Sequence, residues 1–307
     1  MTRPPLPTSD PPPPFRCAAA SLHRDEPHVG TASTVRAFVA LEDPGPWGVE
    51  ALADSRLPDA VKQFLRTVES QRAKALLVRR PGPASRRSAA DGVRVLVAHT
   101  SGPWLETTVL DRVEDVVDLD LGGLGDGRSP GLDRVDAPAY LVCTHGRHDA
   151  CCAERGRPFA AALAEVAPEQ TWEVSHVGGD RFAANAVVLP HGLYYGRLDV
   201  AQAASFAADH AEGLLDLDHL RGRSSYGFAV QAAEIHLRRE LGDRRVAAYP
   251  VRSVIRNESR TSAVFEVDEG AWQVDVETSA NPQQTLTCKA AAPSVSPHHE
   301  VLGLTRL

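Results

Sequence analysis

The chain has 307 residues, 43% of them hydrophobic and 24% charged, and its formal net charge is −7. This length and balance are typical of a globular protein with two or three domains, and the acidic net charge argues against a general nucleic-acid binder. Because the sequence has no run of about 18 apolar residues, we expect no membrane span.

The amino-terminal segment and the cysteine usage indicate the compartment. Residues 1–16 are rich in proline, which predicts a disordered tail without the apolar core of a secretion signal. Five cysteines in a chain of this length are too sparse, and odd in number, for a disulfide framework. They fit metal binding in a reducing compartment, so we expect a cytoplasmic protein. Cys17, just after the tail, is interpreted as an isolated thiol.

Residues 17–120 are predicted to form a first α/β domain. Pro58–Lys74 carries apolar residues at helical spacing and predicts a helix. The strands predicted from apolar, β-branched runs are Val35–Leu41, Ala75–Val78, Val93–Ala98 and Thr107–Leu110. This β-α-β-β order is compatible with a thioredoxin-like plan, and the domain contains neither a metal-ligand pair nor a phosphate-binding loop.

A basic loop, Arg79–Arg87, stands out in this acidic chain. The simpler interpretation is a solvated turn. The alternative is a docking patch, centred on Arg86 and Arg87, for an acidic redox partner, because complementary charge would speed the encounter.

Residues 135–216 carry the most informative pattern. Pro158 is placed at the start of a predicted helix, Phe159–Val166, and a second helix is predicted at Ala201–Leu214. The predicted strands are Tyr140–Cys143, Thr171–Val174, Ala186–Leu189 and Leu193–Leu198, with a short helical turn at Arg181–Asn185. This β-α-β-α-β-β-α order is that of thioredoxin, which predicts a second α/β domain.

Potential soft metal ligands lie at the ends of these strands. Cys143 ends the first strand, and the vicinal pair Cys151 and Cys152 follows within ten residues. His176 follows the second strand, and Asp180 comes four residues later, after two glycines. Thiolate and imidazole ligands on loops at strand ends are typical of a metal or iron–sulfur site.

The short motifs around these residues resemble those of the thioredoxin-like [2Fe-2S] ferredoxins and, more closely, those of the sucrase/ferredoxin-like family. Cys152-Ala-Glu-Arg-Gly is similar to the family's second-ligand box, and Val187–Gly196 to its closing hairpin. The resemblance implies a [2Fe-2S] cluster held by Cys143, Cys152 and His176. In those relatives the fourth ligand, a cysteine or a histidine, lies at the position that Asp180 occupies here.

The site and the resemblance together predict an electron-transfer protein. Without a glycine-rich flavin or nicotinamide motif, it would need a reductase and an acceptor as partner proteins, and whether it is itself an enzyme stays open.

A zinc site at Cys143, Cys152, His176 and Asp180 is an alternative, since this donor set also suits zinc. A thiol oxidoreductase is another alternative, although the chain lacks Cys-x-x-Cys. A sucrose-cleaving hydrolase is suggested by the family's name alone. Cys151 is interpreted as a neighbour of the site.

Residues 222–307 are predicted to form a small α+β domain. Tyr226–Leu241 has the pattern of a helix that ends before a glycine. The predicted strands are Val251–Ile255, Ser262–Val267, Ala271–Thr278 and, as a fourth, Leu286–Ala290. Cys288 falls in this last segment and is interpreted as a loose tail residue.

Overall fold

The computed structural model describes residues 14–70, 72–82, 92–268 and 270–307. Most of the predicted proline-rich tail, and Arg86 and Arg87 of the predicted docking patch, lie outside these residues. Within them the chain forms a ten-stranded mixed sheet flanked by helices and a separate four-stranded antiparallel sheet. The α/β class predicted from the sequence is confirmed. Each helix in these described ranges is too short or too polar to cross a bilayer.

Five α-helices and fourteen strands make up the described part of the chain. The helices are α1 Cys17–His23, α2 Asp59–Glu69, α3 Ala150–Val166, α4 Ala203–Ala211 and α5 Phe228–Leu241. The strands of the large sheet are β1 Ala37–Glu42, β2 Ala73–Arg79, β3 Val93–His99, β4 Trp104–Leu110, β5 Asp133–Arg134, β6 Ala139–Cys143, β7 Thr171–Val174, β8 Ala186–Leu189, β9 Leu193–Tyr195 and β10 Leu220–Arg223. Those of the small sheet are β11 Val251–Asn257, β12 Arg260–Val267, β13 Gly270–Ala280 and β14 Pro297–Arg306.

The large sheet consists of two similar halves. Its strand order is β10-β9-β8-β6-β7-β2-β1-β3-β4-β5, which mirrors itself about the β7–β2 junction. In each half a parallel pair connected through a helix, β1 with β2 and β6 with β7, is extended by two antiparallel strands. The strand and helix order of the second half, including α4, is that of thioredoxin, and the first half repeats its sheet.

The two halves meet at the carboxyl ends of β2 and β7. Val78 pairs with Val174 and Arg79 with Glu173 in an antiparallel register. Arg79 reinforces the junction, because its Nη2 lies 2.6 Å from the Glu173 carboxylate. The guanidinium of Arg80 covers the Trp172 ring at 3.6 Å. The described arginines of the predicted basic loop therefore hold the sheet together.

Strand β6 is buried on both faces, which accounts for its uninterrupted apolar sequence. Leu141 and Cys143 belong to one buried cluster, whereas Tyr140 and Val142 belong to the other, together with Phe159 of α3. Cys143 thus lies at the carboxyl end of a central strand, where parallel α/β sheets commonly form their sites.

Several element boundaries differ from those predicted. Helix α2 ends at Glu69 because β2 already begins at Ala73. Helix α3 begins at Ala150, so Pro158 lies inside the helix and not at its start. Asp149 caps the helix at this earlier start through its side chain. Pro158 costs the helix one backbone hydrogen bond, and burial of the first turn outweighs that cost.

Three further elements were missed or misplaced. Neither strand β10 nor helix α1 was predicted from the sequence. The fourth strand of the small sheet is β14, so the strand predicted at Leu286–Ala290 is wrong.

The small sheet packs against α5 through Leu237 and Phe265. The division into domains at 17–120, 135–216 and 222–307 stays a prediction.

Candidate metal centre

Cys143 is fixed by the sheet itself. Its backbone N–H donates to the Asn185 carbonyl at 2.9 Å, and the next residue, Thr144, donates to the Val174 carbonyl at 3.2 Å. The Thr144 hydroxyl also donates to Glu173 at 3.0 Å. The Cys143 side chain is 1% exposed. These bonds position the thiol where β6 gives way to the loop that precedes α3.

Cys152 is placed by the first turn of α3. The Asp149 side chain accepts a hydrogen bond from the Cys151 N–H at 2.9 Å and so caps the helix. The helix can approach the strand end because Gly156 lies against Cys143, and a Cβ at Gly156 would overlap the Cys143 carbonyl oxygen. Cys152 is fully buried and shares the core cluster of Cys143.

The loop after β7 brings the third and fourth predicted residues to the same place. Gly178 and Gly179 have φ angles of 98° and 82°, and this left-handed conformation turns the chain between His176 and Asp180. The Cys152 Sγ donates to Asp180 Oδ1 at 3.1 Å. His176 Nδ1 lies 3.1 Å from the same oxygen as an ion pair, without a well-directed hydrogen bond.

The structure therefore brings all four predicted residues together. One ligand atom each from Cys143, Cys152 and His176 lie within 4.8 Å of one another, and Asp180 joins a second such group with His176 and His148. None of the thiols is in a disulfide. Two thiols, one or two imidazoles and a carboxylate form a donor set that could bind a metal.

The charges at the centre are strongly coupled. Interaction with the Cys152 thiol holds the pKa of Cys143 well below its usual range, and His176 contributes in the same direction. Burial alone would lower the pKa of His176, but its contacts with Asp180 and Cys143 raise that pKa to about 9. Burial likewise opposes ionisation of Asp180, yet the contact with His176 lowers its pKa. A thiolate, an imidazolium and a carboxylate thus stabilise one another here.

Two further histidines, His145 and His148, border the centre, and His145 is buried. His145 is 2% exposed, and its Nδ1 accepts from the His176 N–H at 3.2 Å. Its Nε2 must then carry the proton, which it donates to the Gly48 carbonyl at 2.7 Å. His148 stacks on His176 with ring centroids 3.7 Å apart. The loop of the first half of the sheet, through Gly48, therefore covers the centre.

A family model described as sucrase/ferredoxin-like matches residues 28–222, which is more than half of the chain. The chain belongs to the sucrase/ferredoxin-like family. No curated protein matches it. No solved structure matches it either. The matched region spans both halves of the large sheet, including the site loops, and ends within β10.

A buried arginine that sequence reasoning missed holds the site loop of this sucrase/ferredoxin-like protein. Arg221 of β10 is 2% exposed and donates to the Gly178 carbonyl and the Asn185 side chain, both at 2.9 Å. It also donates to the Thr31 carbonyl at 2.7 Å and the Thr31 hydroxyl at 3.1 Å. Asn185 in turn donates to the Gly179 carbonyl at 2.9 Å. In the sequence, Arg221 is marked only as a basic residue in a segment that lacks alternating apolar residues, so nothing there predicts its buried position.

The remaining three cysteines of this family member are not isolated, contrary to the predictions for Cys17 and Cys288. Cys17 is fully buried, and its Sγ lies 3.6 Å from that of Cys288. Cys151 is within 3.4 Å of the same sulfur. Because Cys17 and Cys288 are 271 positions apart, no local pattern in the sequence could pair them.

Proposed function

We propose that this protein binds a [2Fe-2S] cluster through Cys143, Cys152 and His176 and serves as an electron carrier. The observation that carries the proposal is the convergence of these three ligand atoms within 4.8 Å at the carboxyl edge of a thioredoxin-type β6-α3-β7 unit. Membership of a family described as sucrase/ferredoxin-like supports it. When bound, such a cluster accepts and donates an electron.

The donor chemistry fits this group. Iron–sulfur clusters take thiolates, and in Rieske-type centres imidazoles replace the thiolates on one iron. Cys143 and Cys152 supply two buried sulfurs without a disulfide. The buried His176 Nδ1, which lies beside Asp180 without a well-directed hydrogen bond, supplies a nitrogen ligand once the ring has lost its proton.

Asp180 and His148 compete for the fourth position. Asp180 lies beside both Cys152 and His176 and occupies the position four residues after His176. His148 Nδ1 faces the Val49 carbonyl at 3.4 Å, which leaves its Nε2 for a metal. We propose Asp180, because it contacts two of the other three ligands and is almost fully buried.

The chain's own residues protect and tune this centre. Cys143 and Cys152 are sealed from water by the core they share with Trp172. The positive charge of Arg221 offsets the negative charge of the Cys143 thiolate and of Asp180. His176 is 25% exposed and, with His145 and His148, lines a cavity of about 370 Å³. Electrons and protons would therefore be exchanged on the histidine side.

The partners we propose are a separate reductase and an electron acceptor. The five cysteines are all unpaired, which is consistent with a reducing compartment such as the cytoplasm.

A mononuclear zinc site is a second candidate, and one observation favours it. The ligand atoms of Cys143, Cys152 and His176 are already close enough for a single ion. Zinc commonly takes tetrahedral sites of two sulfurs and two nitrogen or oxygen ligands.

Elemental and spectroscopic analysis of the purified full-length protein separates the two. We expect about two iron and two sulfide per chain, a visible spectrum, and an EPR signal on reduction. Cys143→Ser and Cys152→Ser should each lose most of the iron, while the adjacent Cys151→Ser retains it. Colourless protein that holds zinc and no iron after anaerobic reconstitution with iron and sulfide would refute the proposal.

A further inference from the structure

A second group of soft ligands lies on the other side of the α3 amino terminus. It contains Cys17 at the start of α1, Cys151 in the first turn of α3, and Cys288 in the segment between β13 and β14. Asp149, the cap of α3, completes it, and its four ligand atoms lie within 4.8 Å of one another. Cys17, Cys151 and Asp149 are at most 1% exposed.

Asp149 organises this group. One carboxylate oxygen accepts from the Cys151 N–H at 2.9 Å, and the other accepts from the Cys288 N–H at 2.6 Å. The Cys17 Sγ lies 3.6 and 3.7 Å from the two oxygens. The same carboxylate thus fixes the backbones of two cysteines and faces the thiol of the third.

The two sulfur–sulfur distances that involve Cys288 are close to those of cysteines on a shared metal ion. The Sγ of Cys288 lies 3.4 Å from that of Cys151 and 3.6 Å from that of Cys17. Two thiolates on a tetrahedral zinc ion, each about 2.3 Å from the metal, are about 3.8 Å apart. A thiolate and a carboxylate oxygen on the same ion are about 3.5 Å apart, close to the distances between Cys17 and Asp149. A disulfide would need about 2.05 Å.

We infer that Cys17, Cys151, Cys288 and Asp149 form a structural zinc site, separate from the candidate metal centre. Three sulfurs and one oxygen within 4.8 Å of one another suit zinc. On binding, hydrated Zn²⁺ loses its water ligands, the three thiols release their protons to solvent, and three Zn–S bonds and one Zn–O bond form. No electron is transferred in this step.

The vicinal cysteines explain how the two sites remain separate. Successive residues of an α-helix point about 100° apart, so Cys151 and Cys152 face different sides of α3. Cys152 lies in the core cluster with Cys143, whereas Cys151 lies in a small cluster with Cys17, and Cys288 packs against it. All five cysteines of the chain are accounted for, two in one site and three in the other.

Such a site would fasten both ends of the chain to the metal-binding half of the sheet. Cys17 is 132 residues from Asp149, and Cys288 is 139 residues from it on the other side. Zinc binding stabilises folded structure because the unfolded chain does not hold its ligands together. The segment that carries Cys288 contains little regular structure to hold it otherwise.

Metal analysis of the full-length protein and five serine variants tests this inference. Cells are grown with added zinc, and the protein is purified without chelator. We expect about one zinc per chain in the wild type, lost in Cys17→Ser and Cys288→Ser and in Cys151→Ser. Cys143→Ser and Cys152→Ser should keep that zinc. The adjacent pair Cys151→Ser and Cys152→Ser is the matched control when iron occupies the candidate metal centre. If zinc occupies that centre as well, the wild type holds about two zinc per chain and each of the five variants about one, and the alkylation mapping below then assigns the sites.

A measurement on the wild type guards against variants that do not fold. Chelator-treated protein is titrated with Zn²⁺, and each cysteine's alkylation is followed by peptide mapping. Protection of Cys17, Cys151 and Cys288 together, at one equivalent of metal, supports the site. Titration with Co²⁺ should likewise produce thiolate-to-cobalt charge-transfer absorption. Unchanged alkylation with Zn²⁺, or a disulfide among these three cysteines in protein purified anaerobically, would overturn it.

Discussion

Replacement of Arg221 by lysine tests whether the glycine loop is held in place from β10. Lysine keeps the positive charge but has a single nitrogen in place of the guanidinium fork. The acceptors lie in two directions, Thr31 on one side and Gly178 with Asn185 on the other. One ammonium group cannot reach both sides.

The expected loss of stability follows from the acceptors left behind. Arg221 donates four hydrogen bonds, and we expect lysine to leave at least two of their acceptors unpaired. Each unpaired acceptor costs about 1–3 kcal/mol, so Arg221→Lys should lower the free energy of unfolding by about 4 kcal/mol. Asp180 lies at the end of the loop that Arg221 holds. If loosening of this loop weakens metal binding at the candidate metal centre by about 1.4 kcal/mol, metal release from that centre should be about tenfold faster.

Arg223 provides the matched control. It is also buried at 1% exposure, on the same strand, but its Nη2 donates to the Val246 carbonyl at 2.7 Å and contacts Glu234 at 3.5 Å. Arg223→Lys should therefore destabilise the protein without accelerating metal release. Urea unfolding gives the stability, and the rate of metal transfer to an excess of chelator gives the release. Equal release rates in the two variants would refute the positioning role of Arg221.

Three other outcomes are expected. Asp180→Ala should shorten the lifetime of the bound metal by tenfold or more while His148→Ala has a smaller effect, as measured by chelator competition; the reverse ranking would make His148 the fourth ligand. Gly156→Ala should lower the free energy of unfolding by about 1–3 kcal/mol, although this change usually stabilises a helix, because the new Cβ overlaps the Cys143 carbonyl; a raised melting temperature would contradict this packing. Burial lowers the pKa of His210 to about 4 from the ordinary 6.5. The neutral ring therefore stabilises the folded protein fully above pH 6.5, and this stabilisation is lost as the pH falls from 6.5 towards 4. His210→Phe should remove up to about 3 kcal/mol of that acid sensitivity in urea titrations of metal-free protein, and identical pH profiles would show that His210 does not ionise on unfolding.

The sequence predicted the strands that precede the site residues, because strands depend on short-range patterns. Cys143 follows an apolar strand, and His176 follows the next, so the thioredoxin order already places them at one edge of the sheet. The cap that starts α3 at Ala150 was overlooked, since Pro158 seemed a stronger start signal. Asp149 is a good capping residue, and its position before the vicinal cysteines was the available clue.

The contacts that the sequence could not predict are those between distant segments. In strand β10, Arg221 and Arg223 lie in the protein interior and are held there by hydrogen bonds. The strand therefore lacks the alternation of apolar and polar residues on which strand prediction relies. Cys17 approaches Cys288 only because α1 and the segment before β14 pack against the same end of α3. Such proximity depends on the complete fold, and a single sequence carries no periodic signal of it.

The mirrored strand order of the large sheet is what duplication of one ancestral unit would produce. Strand β1 ends at Glu42 where β6 ends at Cys143, so the same architectural position carries a carboxylate in one copy and a metal-ligand thiol in the other. The copies also differ in task. The loop after β1 places the Gly48 carbonyl on His145, so the unit without the ligands serves as a cover for its sister. Sequence divergence in that cover would then change access to the centre without touching a single ligand.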